Sequence, residues 1–231
     1  MADRAFYEKF RTTPQGQALL RMIRYAEGTE RGGPDSYRVM FGGGLAPDLK
    51  QHPDKVITGG GYSSSAAGAY QFLTPTWQQQ QKKLGLQSFG PVEQDIAALD
   101  LARQRTMGLG GLSYLQEKGL TPEFVAKLAP EWASLPTQQG KSYWGQPVKS
   151  YDELKKVYGQ QAAGPVATAS TQQPQSTQTT QAPEKTTPRY NIKDLMKASL
   201  FQNLLNQINQ PSPTQGLIQR FMSGAPLGMF K

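Results

Sequence analysis

The break in composition at residue 160 constrains this chain most. From Gln160 to Pro188 the sequence is dominated by Gln, Thr, Ala, Pro and Ser, with Glu184 and Lys185 its only charged residues. A segment so poor in large apolar side chains cannot bury enough surface to offset the entropy of ordering it. Any packed core must come from residues 1–159, a length that can bury roughly 70% of its unfolded-chain surface. Residues 160–188 read as a linker, with an average span of roughly 30 Å if flexible. Apolar residues then return at helical spacing in 189–231, at Leu195, Met196, Leu200, Phe201, Leu204, Leu205 and Ile208, followed by Leu217, Ile218, Phe221 and Met222. Faces this small make no core of their own and predict a short helical docking tail.

Charge and composition exclude several classes. The formal net charge is +8; residues 1–159 carry 19 basic and 15 acidic side chains, and residues 160–231 carry 6 and 2. Such an excess suits weak attraction to anionic polymers. The basic residues are scattered and carry no helix-turn-helix, zinc or RNA-binding fingerprint, so nucleic acid is not expected as the main ligand. The absence of cysteine excludes disulfides and thiolate metal sites, and a single histidine makes no metal cluster, so neither metal nor cofactor is expected. His52 reads as a turn residue held extended by Pro53. Without a Gly-x-Ser-x-Gly elbow it supports no Ser-His-Asp hydrolase. The first residues lack the apolar core of a secretory signal and no run reaches the length of a membrane span, which predicts synthesis in a host cytoplasm without export signal or transmembrane segment.

Within residues 1–159 the pattern is mainly helical with a small β-region, an α+β class. Ala18, Leu19, Met22, Ile23 and Ala26 mark one face of a helix over 16–27, stopped by Gly28. Glu27 then sits at a helix C-terminus, where unpaired carbonyls favour its protonated form, the direction a general acid needs. The glycine-rich stretch 31–63, with Gly42-Gly43-Gly44 and Gly59-Gly60-Gly61, predicts turns and a small sheet. Helices are expected from Pro75 to a stop at Gly85, from Pro91 to Arg105 and from Pro122 to Leu128. Asp95, placed in the first turn of the second of these, reads as structural. Asp35 and Glu131 read as surface charges. In the segment Ser64–Gln71, Gly68 offers a backbone that a ligand can approach closely, with a phenol and an amide beside it.

Glu27-Gly28-Thr29, Met40-Phe41-Gly42-Gly43-Gly44, His52-Pro53, Ala67-Gly68-Ala69-Tyr70-Gln71-Phe72, Gly85-Leu86, Gln94-Asp95, Trp132-Ala133-Ser134-Leu135-Pro136 and Gly145-Gln146 follow one another in this order. In this the chain resembles the lambda-type phage endolysins, lytic transglycosylases of lysozyme-like fold, over about residues 10–158. It departs from their pattern at Ala26 and Ala69. The resemblance implies a lysozyme-like domain over 1–159, to which composition and spacing add the linker over 160–188 and the docking tail over 189–231. It also implies that Glu27 is the catalytic acid and then base, and that Ser65, Gly68, Tyr70, Gln71, Tyr143 and Gln146 bind substrate.

The reaction so implied cleaves the β-1,4 bond between N-acetylmuramic acid and N-acetylglucosamine with closure to a 1,6-anhydro sugar, and needs no second carboxylate. Its partners would be peptidoglycan glycan strands and, through residues 189–231, a phage tail or internal virion protein that carries the enzyme in the particle. The alternatives are a free endolysin for host lysis, a lysozyme-type hydrolase and, in a different class, an inactive virion structural or adaptor protein.

Overall fold

A computed structural model describes residues 4–59, 62–143 and 147–162. Seven helices follow in chain order: α1 (Arg4–Phe10), α2 (Pro14–Ala26), α3 (Thr74–Leu84), α4 (Pro91–Thr106), α5 (Ser113–Lys118), α6 (Pro122–Leu128) and α7 (Tyr151–Ala162). Between α2 and α3 lie two 3-10 segments and one antiparallel hairpin, β1 (Ile57–Gly59) and β2 (Tyr62–Ser64), with Ile57 opposite Ser64. The mainly helical class with a small β-region is therefore the observed one.

Several helix starts follow from single residues. Pro14, Pro75, Pro91 and Pro122 occupy first-turn positions, where the missing N–H removes no helical hydrogen bond. Thr13 and Thr121 cap their helices by accepting from Gly16 N (3.1 Å) and Phe124 N (3.2 Å). Gly85, at φ +64°, ends α3 in the left-handed conformation that glycine adopts without strain.

Helix α4 is the centre of the molecule. Every residue from Glu93 to Ala102 is buried, so the helix is covered all round instead of along one stripe. Helices α1, α2, α3 and α6 pack on it, and α7 lies along α2. Trp77, Phe72 and Phe89 form a tilted and edge-on aromatic cluster, with ring centroids 4.6–6.4 Å apart.

The polar residues of α4 bind its neighbours through buried bonds. Asp100, 1% exposed, accepts from the Tyr7 hydroxyl at 2.6 Å and pairs with Lys83 at 2.5 Å. Arg4 reaches Glu93 with two nitrogens, at 2.7 and 3.1 Å, a forked pair that ties α1 to the start of α4.

Three features differ from the sequence expectations. Helices α1, α5 and α7 are absent from the sequence expectations; α1 and α5 span fewer than two turns, too few for an apolar face to repeat, and α7 runs through Gly159. Helix α7 also runs through residues 160–162, past the expected boundary at 159, because a helix already docked on α2 can continue into Gln and Ala, both compatible with helix. Asp95 is in the second turn of α4, not the first, and is held by side chains rather than by the helix dipole. The expected docking tail, 189–231, and the linker beyond residue 162 lie outside the described residues. No helix among the described residues is long and apolar enough to cross a membrane.

Candidate active site

Glu27 closes α2. Its φ and ψ of −73° and −3° continue the helical turn, its N–H donates to the Ile23 carbonyl at 2.9 Å, and Gly28 at φ +75° redirects the chain. The apolar face that fixes α2, with Leu19, Met22, Ile23 and Ala26 all buried, carries this end of the helix into the interior. Glu27 is only 2% exposed.

A carboxylate so placed loses most of its hydration, which disfavours the charged form. Burial pushes Glu27 up to about 7; the Ser134 hydroxyl opposes this by donating to the ionised form, and the negative charge of Glu131 adds to it. The direction is the one expected from the helix end. The main cause is burial, not the terminal carbonyls.

Ser134 Oγ lies 2.5 Å from Glu27 Oε1, the distance of a charge-assisted O–H···O bond. Ser134 stands on a tight run of chain after α6. Trp132 N and Glu131 N both donate to the Leu128 carbonyl, Leu135 N donates to the Trp132 carbonyl, and the Ser134 carbonyl accepts from Lys149 N at 2.9 Å. Trp132, 1% exposed, anchors this run in the core.

Glu131 is 5% exposed and is clamped by Arg105, whose Nε and Nη2 lie 3.0 and 2.7 Å from Oε2. The expectation of a surface charge is therefore corrected: the residue faces inward, and a charge there requires a partner. Asp35 does lie at the surface, paired with Arg38 at 3.3 Å.

The two segments singled out in the sequence meet through polar bonds. Thr29 Oγ1 donates to the Ala69 carbonyl at 2.6 Å, and Arg24 Nη1 donates to the Tyr70 hydroxyl at 2.9 Å. Gln94, reaching over from α4, accepts from Ala69 N at 2.9 Å and donates to the carbonyls of Tyr37 and Phe89. His52 fastens the same loop by donating from Nε2 to the Phe72 carbonyl while its Nδ1 accepts from Asp54 N, which makes it a turn-holding residue.

The predicted substrate-binding residues occupy unlike positions. Tyr70 is fully buried and its hydroxyl donates to Asp95 at 2.6 Å, so its phenol is turned into the protein. Gly68 has φ +80°, and a Cβ there would stand 2.2 Å from Gln94 Oε1 and 2.8 Å from Phe89. Its missing side chain thus makes room for Gln94 rather than for a ligand.

Gln71, at φ +51° and 3% exposed, donates from Nε2 to the carbonyls of Gly68 and Val39, while its Oε1 is buried without a hydrogen-bond partner. Ser65 Oγ accepts from Thr74 N at 3.2 Å and so helps to start α3. Tyr143 is 52% exposed. Gln146 lies outside the described residues.

Ser134, Thr29 and Gln94 have no role in the sequence reading, although each belongs to one of its short motifs. What would have found Ser134 is the pairing of two facts: a lone hydroxyl in a run of apolar residues, and a carboxyl at a helix end that needs a donor.

A family model described as Endolysin matches residues 17–166. The endolysin of Escherichia phage lambda is 35% identical over 127 residues, covering 53% of this chain and 77% of that protein. The endolysin of Escherichia phage P2 is 35% identical over 112 residues, covering 48% and 62%. Among solved structures, bacteriophage lambda lysozyme complexed with a chitohexasaccharide superposes with a TM-score of 0.56 at 31% identity, covering 66% of this chain and 96% of that one. Lysozyme from bacteriophage lambda gives 0.50 at 28%, covering 65% and 91%.

Proposed function

The chain belongs to the endolysin family, and from that premise we propose that it is a lysozyme-type phage endolysin whose Glu27 donates the proton that breaks a peptidoglycan glycan strand. One observation carries the reading: a buried carboxyl, pushed up to about 7, whose Oε1 is held by Ser134. A general acid works best when its proton affinity matches the ambient pH. Near neutrality a large share of Glu27 is protonated and able to protonate the bridging oxygen of a β-1,4 glycosidic bond. As the bond to that oxygen breaks, positive charge develops on the sugar left behind, and the newly ionised carboxylate is stabilised by the Ser134 hydroxyl. The chitohexasaccharide bound to the solved lambda lysozyme supports an oligosaccharide cleft in this chain as well.

One expectation is corrected. The lambda and P2 relatives are named endolysins and the superposing structures lysozymes, which overturns the reading of a lytic transglycosylase with a 1,6-anhydro product in favour of the lysozyme-type alternative. Glu131 is close enough for its charge to raise the proton affinity of Glu27, but it is buried against Arg105.

Among these residues, Tyr143 keeps the means to touch substrate through an exposed ring, whereas Gln71, 3% exposed with a buried Oε1, braces the loop from within. We retain Ser65 and Gly68 as residues of a loop that Gln71 and Tyr70 support from inside. The finer reading of a virion carrier, with residues 189–231 docked on a phage tail or internal protein, rests on sequence alone. Mass spectrometry of purified particles checks it by the presence or absence of this chain.

The deciding experiment is Glu27→Gln, assayed on purified walls. The folded variant should lose roughly 10²–10⁴-fold in the rate of turbidity loss, with glycan fragments absent from the digest by mass spectrometry. Clearance at the parent rate would remove Glu27 from the reaction.

A further inference from the structure

We propose that Ser134 is a positioning residue for Glu27, holding Oε1 so that the transferable proton resides on Oε2 and faces the glycosidic oxygen. The inference rests on the reading of Glu27 as the acid. A carboxylate is an acceptor only, so with Glu27 ionised the serine hydroxyl must be the donor. At 2.5 Å this bond occupies Oε1. When Glu27 takes up a proton while Ser134 still donates to Oε1, the proton goes to the other oxygen, and the acid is presented with one defined orientation.

The support for Ser134 is rigid where a merely decorative hydroxyl would need none. Its backbone is pinned to Lys149 N on one side, and its neighbours Trp132 and Leu135 are locked by main-chain bonds and buried in the core. A donor fixed before the reaction costs no reorganisation when charge develops on Glu27. Nothing else among the hydrogen bonds described for Glu27 reaches its carboxylate. The charge that acts on Glu27 is that of Glu131, which lies on the same run as Ser134 and is bound to Arg105.

The proposal separates Ser134 from a residue that only keeps the fold. Removing a donor to the ionised form raises the proton affinity of the acid, so the alkaline limb of the pH–rate profile, where Glu27 ionises, should move upward by about one pH unit. The rate at the optimum should fall about ten- to a hundredfold, with the apparent KM for wall suspensions little changed. A packing defect would lower the rate at all pH values and leave the limb in place.

The test is the pH profile of wall clearance by the full chain carrying S134A, with S134G as a second variant that removes the same hydroxyl and with S134T returning one. The expected result is an upward-displaced limb and a lower rate in S134A and S134G, and recovery of both towards the parent in S134T. A parental profile in either hydroxyl-free variant overturns the positioning role. E27Q is run alongside: if it clears walls at the parent rate, the reading of Glu27 fails, whereas an inactive E27Q beside a parental S134A sinks Ser134 alone.

Discussion

The hydroxyl of Thr29 donates to the carbonyl of Ala69 at 2.6 Å, across forty positions of sequence, with Thr29 itself fully buried. This bond sets the turn that follows Glu27 against the loop that carries Gln71. The Ser36 hydroxyl completes the joint by donating to the Thr29 carbonyl at 2.7 Å. Thr29→Val keeps the shape but leaves the Ala69 carbonyl unpaired in a dry site, at a cost of about 1–3 kcal/mol. Chemical denaturation should show that loss, and wall clearance should fall with it as the loop loosens. Unchanged stability would mean that the Ala69 carbonyl finds water or another donor.

Gly68 permits no side chain. An alanine there would have to hold φ near +80° and place a Cβ against Gln94 and Phe89. Left-handed strain and the clash together should cost about 2–4 kcal/mol, read as a lower denaturation midpoint with an unaltered slope. A shortened partner, Gln94→Ala, should relieve the contact with Gln94 in the double variant but neither the contact with Phe89 nor the backbone strain, and it strips the donor and acceptor that fasten Ala69, Tyr37 and Phe89. Coupling of the two substitutions in a double-mutant cycle is the measurement that distinguishes contact from coincidence.

What the sequence discloses here is uneven for physical reasons. Helices with a proline start, α2, α3, α4 and α6, are legible because local start and stop rules agree with the fold. The position of Glu27 at a helix end is legible for the same reason. The inward turn of Tyr70 is not, because a tyrosine beside a glycine carries no local signal of facing Asp95, which lies 25 positions onward. Nor is the burial of Glu131, whose partner Arg105 comes from another helix. Ser134 reaches Glu27 across more than a hundred residues of chain, and such a contact leaves no periodicity to read.

Glu27 also makes stability depend on pH. Its folded proton affinity is raised, from the ordinary 4.5 to about 7, so the folded state prefers the neutral form. Below the unfolded value both states are protonated and nothing is lost; as pH rises through the folded value the preference for the proton turns into a penalty. Glu27→Gln is neutral throughout. It should therefore melt like the parent near pH 3.5 and be more stable above pH 8, by up to about 3 kcal/mol. Melting curves of the two proteins that run parallel across this range would show that Glu27 is ionised at little cost.

The charge of Glu131 supplies a control of opposite sign to Ser134. Glu131 raises the proton affinity of Glu27 by like-charge repulsion, whereas the Ser134 hydroxyl lowers it. Glu131→Gln removes the repulsion, and the amide oxygen still accepts from Arg105, so the clamp survives in part. Glu27 should then ionise at lower pH, and the alkaline limb of wall clearance should move down, with the largest loss of activity just above neutrality and little change at pH 5. Ser134→Ala moves the limb up. If both substitutions displace it in the same direction, the limb reports damage to the fold or to substrate binding rather than the ionisation of Glu27, and the electrostatic account of the site falls.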